Sequence, residues 1–277
     1  MTDKNAPPKT SEAAPEGPPH DLVHGRGQKP AEAPKGNLTA SHEAIDSADV
    51  ATDQVQTLTD LRVQKLLTDC LSDRRLQRYA PAAGDAGVAR EDIYLWNCDL
   101  SEAFHFALHM AEVTCRNSIH SALLYKGDRW FEDRTFRELL DGPRLNDLDI
   151  ALSDEKAQHR AAFDTHHLVS ALSFGFWEHL TTKRFKRYLF PKGFQKNFKH
   201  APWSANLEDL HDLIESVRRW RNRIAHHNAI FDKGPSSKYQ DALKLIAWSS
   251  PDLEAWVATR CRVNQIINAR PKGELHG

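Results

Sequence analysis

An all-α bundle is the fold this sequence predicts, and three observations predict it. From Leu58 onward, apolar residues recur at spacings of three and four, the repeat of a helix face. No segment alternates apolar and polar residues over the length of a strand, and no internal repeat is visible. No run of 18 apolar residues occurs, so no membrane-spanning helix and no membrane partner are expected.

Residues 1 to about 55 hold no Phe, Trp or Tyr and seven of the 14 prolines. Such a segment buries too little apolar surface to offset its ordering entropy, so it reads as a disordered Pro-rich tail. A helical domain over 56–270 follows, then a flexible end at 271–277. Leu58, Leu61, Leu66, Leu67 and Leu71 mark a first helix that ends near Ser72-Asp73. Tyr79-Ala80-Pro81 through Gly87 reads as a loop, because Pro and Gly punctuate it. A helix over Arg90 to Asn97 is expected next. Asp99 or Ser101 then caps another that runs to about Tyr125. Gly127-Asp128-Arg129-Trp130 is a turn. Residues 132–190 read as three helices, broken at Gly142-Pro143 and stopped at Pro191. One helix spans about Asn206 to His227, and Gly234-Pro235 ends its exit loop. Residues 237–268 supply one or two closing helices, interrupted at Ser250-Pro251.

The formal net charge of the 277 residues is −1. Residues 1–50 hold five Lys/Arg against eight Asp/Glu, a net of −3, so the remainder carries +2. A nucleic-acid site in such a chain has to be a local patch, since no global basic excess exists. Cys70, Cys98, Cys115 and Cys261 form no CxxC pair and fit no zinc or disulfide spacing. Reduced thiols in the cytoplasm are the expectation, and secretion is not, for the N-terminus lacks an apolar h-region.

The helix over 206–227 carries the densest chemistry. Leu207, Leu210, Ile214, Val217 and Ile224 form its seam, and Arg221 falls where another Leu is expected. An inward arginine needs a partner or a task. Asn222 and His226 lie four apart and share a face. The row Phe104, Leu108, Glu112, Arg116, Ile119 and Leu123 repeats the oddity, with charges set in an apolar stripe and Asn117 and His120 nearby. Taken alone, that row is equally an intrahelical Glu112–Arg116 pair of little energetic weight. Two helices with Arg-Asn followed by His point to one shared polar pocket.

Arginine grips phosphate bidentately, histidine exchanges protons near neutral pH, and asparagine orients either. Together they suit attack by a ribose 2′-hydroxyl on its own phosphodiester, which leaves a 2′,3′-cyclic phosphate and needs RNA. No metal and no cofactor are expected. Adjacent His226 and His227 point about 100° apart on a helix and do not chelate one ion together. Residues 183–199 add Lys183, Arg184, Lys186, Arg187, Lys192, Lys196 and Lys199 with no acidic residue, interleaved with Phe185, Tyr188, Phe190, Phe194 and Phe198. Cations hold phosphates and aromatic faces stack bases. The bland alternative is that the aromatics are core and the cations a solvated face.

At Trp96-Asn97, Glu112-Val113, Arg116-Asn117, Gly127, Trp130, Ser173-Phe174-Gly175-Phe176-Trp177 and Arg221-Asn222-Arg223-Ile224-Ala225-His226-His227, the chain resembles the Abi-like (abortive-infection) family of the HEPN superfamily of helical ribonucleases. The last block fits the pattern of Arg, a polar residue, three variable residues and His. The resemblance covers about Leu58 to Phe231. It implies a HEPN-like bundle with additional helices and an endoribonuclease with Arg221, Asn222 and His226 as catalytic residues. It also implies that Glu112, Arg116 and Asn117 line the cleft. His120 and His227 are expected beside them, and Lys183, Arg184, Lys186 and Arg187 of the basic run, with Arg223, are expected to hold RNA. A phage-defence or toxin role, a homodimer and an antitoxin or defence-system partner follow from the same likeness. The family shows Glu-Pro after the two histidines; Asn228-Ala229 stand there instead. A non-catalytic RNA- or nucleotide-binding module of the same superfamily is the competing expectation.

Overall fold

A computed structural model describes residues 62–273, and every regular element among them is helical. The expected tail over 1–55, the start of the first helix and residues 274–277 lie outside the described residues. In order the helices are α1 (62–70), α2 (Asp73–Leu76), α3 (Ala80–Ala86), α4 (Arg90–Leu123), α5 (Arg134–Leu139), α6 (Gly142–His159) and α7 (Thr165–Ala171). There follow α8 (Phe174–His179), α9 (Lys186–Leu189), α10 (Leu207–Ala225), α11 (Pro235–Ser249), α12 (Pro251–Arg260) and α13 (Val263–Asn268).

Four segments differ from the sequence expectation. Tyr79 to Gly87 is not a loop but helix α3: Pro81 sits in its first turn, where a missing N–H costs nothing, and Gly87 closes it at φ 68°. The expected break near Asn97 is absent, so α4 runs 34 residues unbroken, about 50 Å. Ser101 does not cap; its hydroxyl donates back to the Asn97 carbonyl at 2.8 Å. Residues 132–190 hold five helices rather than three, and four of them are started by their own cap. Asp133, Asp141, Asp164 and Ser173 accept the N–H groups of the first turns of α5, α6, α7 and α8. The closing segment forms three helices, with Ser250 capping α12.

Helix α4 is the axis of the fold, with α3, α10, α11, α12 and α13 packed around it. Its core row of Phe104, Leu108, Ala111, Cys115 and Ile119 is buried with Leu210, Ile214, Val217, Trp220 and Ile224 of α10. The rings of Phe104 and Trp220 meet edge-on at 5.3 Å, and Tyr239 of α11 completes the layer at 6.1 Å from Phe104. Each such fully buried side chain contributes about 1.5–3 kcal/mol. Beyond α4, Trp130 forms a second aromatic centre with Phe131, Phe136 and Trp177 at 5.1 to 6.2 Å. The chain reaches it through Gly127 at φ 93°, a conformation a side chain strongly disfavours.

Candidate functional site

The end of α10 is held in place from three sides. Asn97 of α4 is buried, and its Oδ1 accepts from the backbone N–H of Ile230 at 2.8 Å and of Phe231 at 3.2 Å. The Arg223 guanidinium donates to the Ala229 carbonyl at 2.9 and 3.2 Å. Arg75 of α2 donates to the His227 carbonyl at 2.8 Å. His227 itself adopts a left-handed backbone at φ 52°. So the exit through Asn228-Ala229 is shaped by one amide and two guanidinium groups.

On this frame the structure brings together Glu112, Arg221 and Asn222. Arg221 Nε lies 3.4 Å from Glu112 Oε2, and its Nη1 donates to Asn222 Oδ1 at 3.2 Å. Glu112 therefore pairs across helices, not with Arg116 on its own helix. Arg116 shares the Glu112 face four residues on, and its Nε is buried with no hydrogen-bond partner. His226 caps α10, donating its N–H to the Asn222 carbonyl at 2.9 Å, and its ring is exposed.

Arg221 is not inward, contrary to the expectation from the seam. Its side chain is 45% exposed, whereas Glu112 is 19% exposed. Trp220 takes the inward position, because Val217, Trp220 and Ile224 also alternate three and four and the indole buries far more apolar surface. Asn117 is exposed and, five residues beyond Glu112, points about 140° around α4. His120 is eight residues beyond Glu112, about 12 Å along the axis. It is buried against Trp130 and His166, at ring distances of 6.3 and 5.8 Å. Burial and the neighbouring His166 hold its pKa below the ordinary histidine value.

The stretch 183–199 divides sharply. Phe185, Tyr188, Phe190, Phe194 and Phe198 are all buried, so the aromatics are core, as the alternative reading had it, and not base-stacking faces. Short turns send each ring inward and leave Lys183, Arg184, Lys186, Arg187, Lys192, Lys196 and Lys199 exposed. Arg184 donates to the Leu139 carbonyl at 3.1 Å, and Lys183 lies 3.2 Å from Glu208. Trp96-Asn97, Trp130 and Phe174-Gly175-Phe176-Trp177 turn out to be architectural: Trp96 donates to the Ile266 carbonyl at 2.6 Å, and Trp130, Phe174, Phe176 and Trp177 are core.

The sequence reading passed over a partly buried ion pair between α10 and α8. Arg218 pairs with Glu178 of α8, with side chains 26% and 11% exposed. Only the three-dimensional approach of α8 to α10 reveals it, because Glu178 follows an aromatic block that reads as core. Among the described residues, no group of three or more His, Cys, Asp or Glu is placed to hold a metal ion. Compared with protein-family models, curated proteins and solved structures, the chain matches none.

Proposed function

We propose that this chain is an endoribonuclease of HEPN type, acting in the manner of the Abi-like defence proteins, with its active centre at the end of α10. The observation that carries the reading is the Glu112–Arg221–Asn222 cluster beside an exposed His226. Glu112 positions the Arg221 guanidinium while leaving part of its donor fork free for phosphate. His226 takes the proton from a ribose 2′-hydroxyl as that oxygen bonds to phosphorus. Arg221 stabilises the charge that builds on the crowded phosphorane. The P–O5′ bond then breaks, and the departing oxygen takes a proton from solvent. The products are a 2′,3′-cyclic phosphate and a 5′-hydroxyl. No step calls on a metal.

The exposed cations of 183–199 extend the binding surface for the RNA backbone, and Arg223, engaged with Ala229, shapes the site rather than reaching substrate. Because Arg221 and His226 both face solvent, the cluster forms an open floor. A second copy laid against α10, the homodimer the resemblance implies, supplies the opposite wall. An antitoxin or defence-system partner belongs to the same proposal. The exposure of Arg221 makes a clean test possible. Arg221→Lys keeps the charge and loses the planar fork, so cleavage falls steeply while the circular dichroism melting curve is unchanged. Undiminished cleavage by the lysine variant would remove the arginine from the mechanism.

A further inference from the structure

The stretch between α9 and α10 ends on a side chain that the fold leaves bare. Trp203 is 95% exposed, whereas the next most exposed large apolar side chain among the described residues, Leu66, is 56% exposed. A half-exposed apolar side chain on a surface is ordinary. A tryptophan that touches almost nothing forgoes one of the largest burials a side chain can gain.

The indole is nonetheless carried on a fixed backbone. Pro202, Trp203, Ser204 and Ala205 form a tight turn, closed by the Ala205 N–H donating to the Pro202 carbonyl at 2.9 Å. Three further bonds hold its flanks. The Gln195 side-chain amide donates to the Ala205 carbonyl at 2.8 Å. The His200 N–H donates to the Trp248 carbonyl of α11 at 3.0 Å, and the Ala201 N–H to the Phe198 carbonyl at 3.1 Å. Phe194, Phe198 and Ala201 are buried, and the rings of Phe194 and Trp248 stack at 6.0 Å. The core thus fixes the chain on which the indole stands out in water.

Its setting is cationic. Lys199 and His200 are exposed and precede Trp203 by four and three residues, so both lie within about 14 Å of it. Lys192 and Lys196 are exposed on the loop before them. No acidic residue occurs from 183 to 207. The first acids beyond are engaged: Glu208 lies 3.2 Å from Lys183, and Asp209 accepts the Asn206 N–H at 2.7 Å. Between residues 151 and 255 no other large apolar side chain is exposed, so this stretch offers no apolar patch of the kind that seats a protein. The rings of 185–198 are buried, which leaves Trp203 as the aromatic face of the cationic run. One flat aromatic face among cations matches a polyanion that carries bases. We infer that Trp203 stacks an unpaired base of single-stranded RNA while Lys196 and Lys199 hold the adjoining phosphates. The inference rests on the ribonuclease reading, from which it takes RNA as the ligand. Arg221 lies 15 residues beyond the Asn206 cap, about 22 Å along α10, so Trp203 grips the strand away from the bond that is cut.

The test is fluorescence anisotropy of a labelled single-stranded RNA decamer, with the full chain carrying His226→Ala so that the RNA stays intact. Adding Trp203→Ala should weaken decamer binding roughly fivefold to a hundredfold, the range for one lost base-stacking contact, and Trp203→Tyr should recover most of it. Bases in a duplex are already stacked on their neighbours, so affinity for a duplex of equal length should not follow. Lys199→Glu should weaken both ligands and flatten the salt dependence. The indole makes almost no contacts within the chain, so the alanine variant should melt as the parent does. Cleavage of RNA by the wild type, with decamer affinity unaltered by Trp203→Ala, would overturn the inference and leave the ribonuclease reading standing. Equal losses on decamer and duplex would overturn the stacking. Unaltered decamer affinity with loss of a dimer in sedimentation would make Trp203 a protein contact instead. A wild type that neither binds nor cuts RNA would remove both.

Discussion

Asn97→Ala is the substitution through which fold and site are most tightly linked. The Asn97 side chain is 4% exposed, and its one acceptor oxygen serves two backbone donors, Ile230 N–H at 2.8 Å and Phe231 N–H at 3.2 Å. Removing the amide orphans both donors in a region water does not reach. An unsatisfied buried donor costs about 1–3 kcal/mol. The second bond is the longer, so the sum falls at roughly 3 kcal/mol. For a domain of this size, about 2–4 °C of Tm accompanies each kcal/mol, so the expected drop is roughly 6–12 °C. Asn97→Asp keeps the acceptor and should lose less. Urea melts followed by circular dichroism at a helix band measure both variants, with the slope checked against wild type. A loss below about 0.5 kcal/mol in Asn97→Ala, the range of ordinary surface changes, would mean the amide does not pin the exit of α10.

Stability should also fall in mild acid. His120 is buried with its pKa lowered, so the unfolded chain takes up a proton near pH 6.5 that the folded chain refuses. The stabilisation is fully present above about pH 6.5 and is lost as pH drops below it, by at most about 1.4 kcal/mol per unit. His120→Phe should flatten this slope, and His179, shifted the same way, should leave part of it; an unaltered slope would exonerate His120. Thiol labelling separates the cysteines. Cys70 and Cys98 are exposed, while Cys115 is fully buried and its thiol pKa is raised by desolvation. Desolvation also raises the Cys98 thiol, so an aromatic disulfide reagent at pH 8 should modify Cys70 readily, Cys98 more slowly and Cys115 only on unfolding. Rapid native labelling of Cys115 would contradict the packing of α4.

The seam of α10 was legible because every apolar position from Leu207 to Ile224 does face the core. The residue between them was not. Spacings of four then three and of three then four both satisfy a helical stripe, so periodicity alone could not choose between Arg221 and Trp220. The volume of the indole decided it. The unbroken α4 was hidden for a similar reason. Asp99 and Ser101 are good cap residues, but buried Leu100, Ala103 and Phe104 carry the helix through them. Lys183 to Lys199 is legible as a run of cations, but whether its aromatics stack bases or fill the core is not, since sequence order does not say which way a short turn points its rings. The Glu112–Arg221 pair was within reach of the pattern. The Arg218–Glu178 pair depends on the approach of α8 to α10, which no local spacing encodes.

The proposed function requires Arg221, Asn222 and His226 to cleave RNA without a metal. Its most direct test is incubation of the full chain with total cellular RNA in excess chelator, with fragment ends mapped chemically. Wild type should cut and leave 2′,3′-cyclic phosphate and 5′-hydroxyl ends, and His226→Ala should be slower by roughly 10²–10⁴. Cleavage that stops on chelation, ends of the opposite polarity, or an equally active His226→Ala would contradict it.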